Sequence, residues 1–170
     1  MLNEVESDIE LWEVMVRILG IDPSSMRCGW AVLAGDRLVA HSTICTDKEF
    51  YHERTSHIIS VLETVIKQYK VTHVACERAF RNPKRNTAAL QVVVQSIKVW
   101  CRQNKYPLGL YSSGEWKKSV VGNGHASKGE VQQAIELYFP GAKGSEHETD
   151  AIAIAIHGQG MLRLEEMTNG

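Results

Sequence analysis

Val16-Arg17-Ile18-Leu19-Gly20-Ile21-Asp22 is the stretch that decides the fold of this 170-residue chain. It is almost wholly apolar, ends in a carboxylate and is stopped by Pro23-Ser24-Ser25, a pattern typical of a buried β-strand that runs into a turn. Two further runs of strand type cover residues 29–34 and 37–45, with Gly35-Asp36 between them as a hairpin turn. The three runs predict an antiparallel meander whose first strand carries an acid at its end.

Helices and strands alternate after this meander. Thr46-x-x-Glu49 has the form of a capping box and predicts the start of a helix, in which apolar residues recur at helical spacing as far as Tyr69. A buried strand over residues 71–77, a helix over 87–103 and a short strand over 108–111 come next.

Three more capping boxes, which begin at Ser112, Ser127 and Ser145, predict that helices close the chain. Residues 151–156 (AIAIAI) alternate like a strand, but the last capping box and the segment length favour a helix from Glu146 to Glu165. The resulting order, βββαβαβαα, predicts a mixed α/β fold in which helices cover a five-stranded sheet.

Charge is distributed unevenly along the chain, although the net charge is only −1. Residues 1–15 form an acidic extension without a basic residue, ahead of a domain expected over residues 16–166. Residues 78–128, in contrast, contain ten basic residues and a single acid, Glu115. Such a basic region is expected of a protein that binds a polyanion, although charge alone fits a solvated surface equally well.

Composition argues against several classes of protein. No run approaches the roughly 18 consecutive apolar residues of a membrane span, and the amino terminus is acidic where a secretory signal is basic and then apolar. We therefore expect a cytoplasmic protein with no membrane association. The four cysteines are far apart, which argues against a zinc site or a disulfide framework. A glycine-rich phosphate loop is missing, which argues against a small-molecule phosphotransferase.

Three carboxylates and one imidazole form the candidate site. Asp22 and Glu77 each end an apolar strand, and His147 and Asp150 are three residues apart, so that they share one face of a helix. Glu148 is expected to cap that helix. Glu146 is expected to point elsewhere.

These donors suit Mg²⁺ or Mn²⁺. Two such cations about 3.5–4 Å apart can activate water and stabilise the leaving oxygen in phosphodiester hydrolysis. Asp22 before Pro-Ser fits an ordinary turn as well, so the residues alone leave both interpretations open.

Four blocks of sequence resemble, in order and spacing, the RuvC-type Holliday junction resolvases of the ribonuclease H-like superfamily. They are Ile18 to Ser24 with Gly29-Trp30, Glu77-Arg78-Ala79-Phe80, Val121 to Lys128, and His147 to Ala155. The resemblance implies a ribonuclease H-like fold, with three antiparallel strands followed by parallel ones.

The resemblance also implies functional roles. Asp22, Glu77 and Asp150 would be the catalytic, metal-binding carboxylates, and His147 would be the fourth member of the site. The reaction would be in-line attack of water on a DNA phosphodiester, leaving a 5′-phosphate and a 3′-hydroxyl, in recombination and repair.

Further residues are expected to contact DNA. Phe80 occupies the position of a family aromatic, and an apolar side chain among basic ones can wedge between base steps; packing at the end of its strand is the alternative. Phosphate contacts are expected from five basic residues: Arg81, Lys84, Arg85, Lys117 and Lys128.

The helix over 87–103 is apolar on more than one side. One stripe consists of Leu90, Val93, Val94, Ile97 and Cys101, and Ala89, Val92 and Val99 lie on another side. A second apolar face needs a second partner. We expect a homodimer through this helix, because two symmetric nicks in a four-way junction need two equivalent sites.

Two alternatives stay open at this stage. One is a ribonuclease H-like nuclease that acts on other branched DNA or on RNA–DNA hybrids. The other is a junction-binding protein without catalytic activity.

Overall fold

The computed structural model describes residues 16–79 and 88–169. Five strands form one sheet in the order β3-β2-β1-β4-β5. They are β1 (Arg17–Asp22), β2 (Arg27–Ala34), β3 (Arg37–Cys45), β4 (His73–Glu77) and β5 (Leu108–Tyr111). The first three strands pair antiparallel with one another, and β4 and β5 run parallel to β1. The predicted mixed sheet is therefore confirmed, with the acid-tipped strand β1 at its centre.

Helices cover both faces of the sheet. They are α1 (Tyr51–Tyr69), α2 (Ala88–Gln103), α3 (Ser113–Val121), α4 (Lys128–Tyr138) and α5 (Glu146–Asn169). Side chains alternate along β1, so Leu19 and Ile21 enter the core beneath α1 and α2, whereas Ile18 enters the core beneath α3, α4 and α5. In the described ranges, no helix is both long and apolar enough to cross a membrane.

Two predictions about helices were wrong. The first helix begins at Tyr51, and its cap position, Phe50, makes no side-chain cap bond. Thr46 instead accepts a hydrogen bond from the Lys48 amide at 3.4 Å, so the predicted capping box is a local turn ahead of the helix. Three helices close the chain where the predicted order had two, because α3 and α4 are separate.

Other helix predictions are confirmed. Ser112 and Ser127 form complete capping boxes with Glu115 and Glu130. The AIAIAI segment is helical, and α5 continues beyond Glu165 to Asn169. Its residues Ala151–Ala155 are all buried, which explains why this helix shows no polar face in the sequence.

Helix α5 lies unusually close to the strands beneath it. A Cβ atom at Gly20 would overlap the Ala151 carbonyl, and one at Gly29 would overlap the His147 carbonyl. Glycine at these two positions lets the helix backbone rest directly on β1 and β2. The first turn of α5 is therefore held over the end of β1 that carries Asp22.

The acidic extension over residues 1–15 and the segment 80–87 lie outside the described residues. Phe80, Arg81, Lys84 and Arg85 belong to that second segment, so their predicted DNA contacts stay predictions.

Candidate active site

Two carboxylates leave the sheet side by side. Strands β1 and β4 are adjacent and parallel, with Ile21 opposite Cys76 in the register. Asp22 and Glu77 are the next residues of their strands. Because equivalent ends of parallel strands meet at one edge of a sheet, both acids lie there, as the sequence predicts.

His147 joins this edge from the first turn of α5. Its Nδ1 atom lies 2.7 Å from Oδ2 of Asp22, within hydrogen-bond distance. Burial raises the pKa of Asp22, which outweighs the lowering effect of the imidazole, and the hydrogen bond to Asp22 raises the pKa of His147. The pair therefore retains a proton to a higher pH than either side chain would in water.

Asp150 completes the group from the next turn of α5. Burial, with a smaller effect of the negative charges of Asp22 and Glu77, raises its pKa to about 7, and Lys117 acts in the opposite direction. The three carboxylates therefore share one electrostatic environment, which a single lysine compensates only in part. A divalent cation among them would offset both the cost of burying the charged carboxylates and their mutual repulsion.

Glu77 has a partner that the sequence did not indicate. Trp116, on α3, donates a hydrogen bond from its indole nitrogen to Oε2 of Glu77 at 2.8 Å. Burial raises the pKa of Glu77, and this hydrogen bond acts in the opposite direction. Trp116 is not among the site residues predicted from the sequence. The feature of the sequence that could have pointed to Trp116 is its position directly before Lys117, a predicted phosphate contact.

The two predicted phosphate-binding lysines lie at different parts of the site. Lys117 is near enough to Glu77 and Asp150 to lower both of their pKa values, and its Nζ lies 5.4 Å from the centre of the Trp116 ring. Lys128 is exposed and forms an ion pair with Glu146 at 2.5 Å. Glu146 thus binds a predicted DNA contact, and its charge also raises the pKa of Asp150.

A second network holds the start of α5 against β3. Glu148 and Ser145 exchange backbone and side-chain hydrogen bonds, so Glu148 caps the helix as predicted. Its carboxylate also lies 2.6 Å from Nδ1 of His41 and accepts a hydrogen bond from Thr43 at 3.1 Å. These contacts fix the turn that carries His147.

The four predicted site residues are close, but they are not grouped as a finished metal-ligand set. In residues 16–79 and 88–169, no three His, Cys, Asp or Glu side chains are placed to hold a metal ion together. Asp22 is hydrogen-bonded to His147 and Glu77 to Trp116. The donors themselves, carboxylates with one imidazole, are the ligands that Mg²⁺ and Mn²⁺ accept.

Comparison with known proteins gives a family for this arrangement. The sequence model of the crossover junction endodeoxyribonuclease RuvC family matches residues 18–158, a span that contains all four site residues. The chain belongs to the RuvC family. RuvC proteins are metal-dependent endodeoxyribonucleases.

Individual RuvC proteins resemble the chain over most of its length. RuvC from Ehrlichia ruminantium (strain Welgevonden) is 37% identical over an alignment of 155 residues, which covers 83% of this chain and 94% of that protein. RuvC from Rickettsia bellii (strain RML369-C) is 35% identical over an alignment of 147 residues, which covers 81% of this chain and 93% of that protein.

A solved structure shows the same fold. Thermus thermophilus RuvC, determined in complex with a Holliday junction substrate, superposes with a TM-score of 0.78 at 24% identity. The match covers 88% of this chain and 96% of that one. The ribonuclease H-like fold expected from the sequence is confirmed.

Proposed function

We propose that this chain resolves four-way DNA junctions by making two symmetric nicks with a pair of identical active sites. The observation that carries the proposal is the convergence of Asp22, Glu77 and Asp150 at one edge of the sheet, in a chain of the RuvC family. These three residues and His147 are the proposed catalytic and metal-binding side chains.

The site fits divalent cations, and we propose two Mg²⁺ or Mn²⁺ ions per site. Asp22, Glu77 and Asp150 all have raised pKa values, chiefly through burial, and the negative charge of Asp22 adds to the rise at Glu77 and Asp150. Clustered acids of this kind are stabilised as carboxylates when a cation is bound. When bound, such ions would activate water and offset the negative charge that develops on the phosphodiester.

The protein's own residues orient the reaction. His147 fixes the side chain of Asp22 through their hydrogen bond at 2.7 Å. Lys117, which lies near both Glu77 and Asp150, is placed to contact the phosphate that is cut. Lys128 would exchange its exposed pairing with Glu146 for a DNA phosphate, a small loss because exposed ion pairs are worth about 0–1 kcal/mol.

We infer that two copies act together through α2. Val92 and Val99 are seven positions apart on this helix, and both side chains remain exposed in the single chain, at 39% and 43%. A second copy that covers them would supply the second active site. The proposed enzyme would work in the cytoplasm, with residues 16–166 as the nuclease domain and 1–15 as an acidic extension.

Cleavage of a synthetic four-way junction tests the proposal. With Mg²⁺ or Mn²⁺, the wild type should cut opposite arms symmetrically and leave nicks that DNA ligase can seal, as 5′-phosphate and 3′-hydroxyl ends require. Asp22→Asn and Asp150→Asn should each lower the rate by about 100-fold or more. Asp36→Asn, which changes an acid on an exposed hairpin, serves as the matched control.

The same assay separates the alternatives. Equal cleavage of junction, flap, duplex and RNA–DNA hybrid would indicate a less selective ribonuclease H-like nuclease. Tight junction binding without metal-dependent cleavage would indicate a non-catalytic junction-binding protein. Full activity of Asp22→Asn would show that the site has been assigned wrongly.

A further inference from the structure

Trp116 is almost completely buried, with 1% of its surface exposed, yet its polar atom faces the proposed active site. Its indole nitrogen donates to Oε2 of Glu77 at 2.8 Å. The ring packs in the core between the sheet and the closing helices. Its helix, α3, starts at a complete capping box between Ser112 and Glu115. The position of the indole is therefore fixed both by the core around the ring and by the capped start of its helix.

The chemistry of this contact differs from that of an ordinary ion pair. An indole N–H is neutral and can only donate, so it orients a carboxylate without cancelling its negative charge. One bound oxygen restricts the rotation of the Glu77 carboxylate, and the second oxygen stays free of the indole. Hydrogen-bonded partners of metal-binding carboxylates commonly set ligand orientation in this way.

We propose that Trp116 is a positioning residue that holds Glu77 in the orientation required for divalent-metal binding. This inference rests on the proposed function, because it assumes that Glu77 is a metal ligand. It adds a second residue of α3, next to Lys117, to a site whose proposed metal ligands come from β1, β4 and α5. The effect should appear in metal affinity more than in the rate at saturating metal, since the ligand itself is unchanged.

The same protein contains a matched comparison. Trp100 is also buried, at 7% exposure, and its indole donates to Oε1 of Glu63 at 3.0 Å. That bond joins α2 to α1 on the other face of the sheet. Trp100→Phe therefore removes a similar hydrogen bond and a similar ring, but between two helices that carry none of the proposed metal ligands.

The test compares Trp116→Phe with Trp100→Phe in the full chain, with Mn²⁺ alone as the probe. Binding of Mn²⁺ is measured by isothermal titration calorimetry and by electron paramagnetic resonance, without DNA. We expect Trp116→Phe to weaken Mn²⁺ binding about 10- to 100-fold, and Trp100→Phe to change it by less than about twofold. In junction cleavage, the Mn²⁺ concentration for half-maximal rate should rise for Trp116→Phe, while the maximal rate falls much less.

Melting temperatures and metal-free junction binding are recorded for both variants, because a packing defect would alter these and leave Mn²⁺ affinity unchanged. Wild-type Mn²⁺ affinity in a folded Trp116→Phe protein would overturn the inference and leave the proposed function intact. The proposed function would be overturned instead if the wild type bound no Mn²⁺, or if the Glu77→Gln variant bound Mn²⁺ as tightly as the wild type does.

A second measurement covers the case in which Trp116→Phe does not fold. Paramagnetic Mn²⁺ should quench the tryptophan emission of a protein that carries Trp12→Phe, Trp30→Phe and Trp100→Phe, in which Trp116 is the one remaining tryptophan, and Asp22→Asn in that background should remove the quenching. Emission that is unaffected by bound Mn²⁺ would overturn the inference, because Trp116 would then lie away from the metal.

Discussion

Asp150 shows at the scale of a single residue how the site is kept ready for a cation. Its pKa is raised to about 7 by burial and by the charges of Asp22 and Glu77, from a usual value of 3.8. Between these two values the folded chain binds a proton that the unfolded chain does not bind. Stability contributed by this group therefore rises as the pH falls from about 7 toward 4, and falls as the pH rises.

The first prediction follows from this pH dependence of the stability that Asp150 contributes. In the presence of a chelator, Asp150→Asn should raise the free energy of unfolding at pH 8 by roughly 2 kcal/mol, half or less of what the full shift implies, because solvent screens a partly accessible group. At pH 5 the gain should be small. Urea unfolding at both pH values checks this, with Asp36→Asn as the control.

Added Mn²⁺ should make the wild type more stable than Asp150→Asn at pH 8. The wild type should gain stability at pH 8 in proportion to its metal affinity, whereas Asp150→Asn should gain much less. A wild type that is more stable than Asp150→Asn at pH 8 without metal would contradict the description of the site as a cluster of buried carboxylates that repel one another.

The sequence predicted the acids but not their surroundings. Asp22 and Glu77 could be placed at one edge because each ends an apolar strand, and strand ends follow from local pattern. Trp116 could not be placed, because its contact with Glu77 depends on how α3 docks against β4. The Thr46 capping box failed for a local reason instead, since a hydrogen bond between Thr46 and the Lys48 amide competes with the helix start there.

At the scale of elements, the contact between α5 and the sheet aligns the two halves of the site. Gly29 lies beneath the carbonyl of His147, and Gly20 lies beneath that of Ala151. Any side chain at these positions would push the first turn of α5 away from β1. His147 and Asp150 would then move relative to Asp22.

The second prediction tests this contact. Gly29→Ala should lower the free energy of unfolding by about 1–3 kcal/mol through overpacking. It should also lower junction cleavage by roughly 100-fold, because a displacement of about 1 Å at a catalytic group can have that effect. Thermal unfolding and single-turnover cleavage measure the two effects separately.

Gly160→Ala, on α5 itself, is the matched control. A Cβ atom there would meet nothing within 4 Å, so alanine should stabilise α5 by up to about 1 kcal/mol and leave cleavage unchanged. Equal behaviour of the two alanine variants would show that the close approach at Gly29 has no role in aligning the site.

The bounds of these elements were partly readable from the sequence. The strands β3 and β5 have the predicted bounds, because turn residues mark both of their ends. Helix α5 was ambiguous because a helix buried on several sides loses its amphipathic period, and AIAIAI then fits two periods equally well. Its capping box between Ser145 and Glu148 decided correctly for a helix.

At the scale of the whole molecule, the sequence blocks predicted the family and the fold, whereas the proposed dimer depends on an apolar surface that stays exposed in the single chain. Val93, Val94 and Ile97 of α2 are buried within the chain, but Val92 and Val99 on the same helix are exposed. An exposed apolar pair of this kind fits an interface between two copies. Two active sites on one dimer would explain how both nicks are made in a single encounter with a junction.

The third prediction places a charge in that surface. Val99→Glu should weaken dimerisation, because burial of an unpaired carboxylate in an apolar interface costs several kcal/mol. The isolated chain should keep its stability, since Val99 is 43% exposed there. Leu137→Glu, at an apolar side chain that is 83% exposed on α4, is the matched control. Sedimentation velocity at micromolar concentration should show a dimer for wild type and Leu137→Glu, and a shift toward monomer for Val99→Glu.

On a supercoiled plasmid with an extruded cruciform, the dimers should yield mainly linear DNA from paired nicks, and Val99→Glu should yield mainly nicked circles. A dimeric Val99→Glu protein that still linearises the plasmid would show that the two copies meet through another surface.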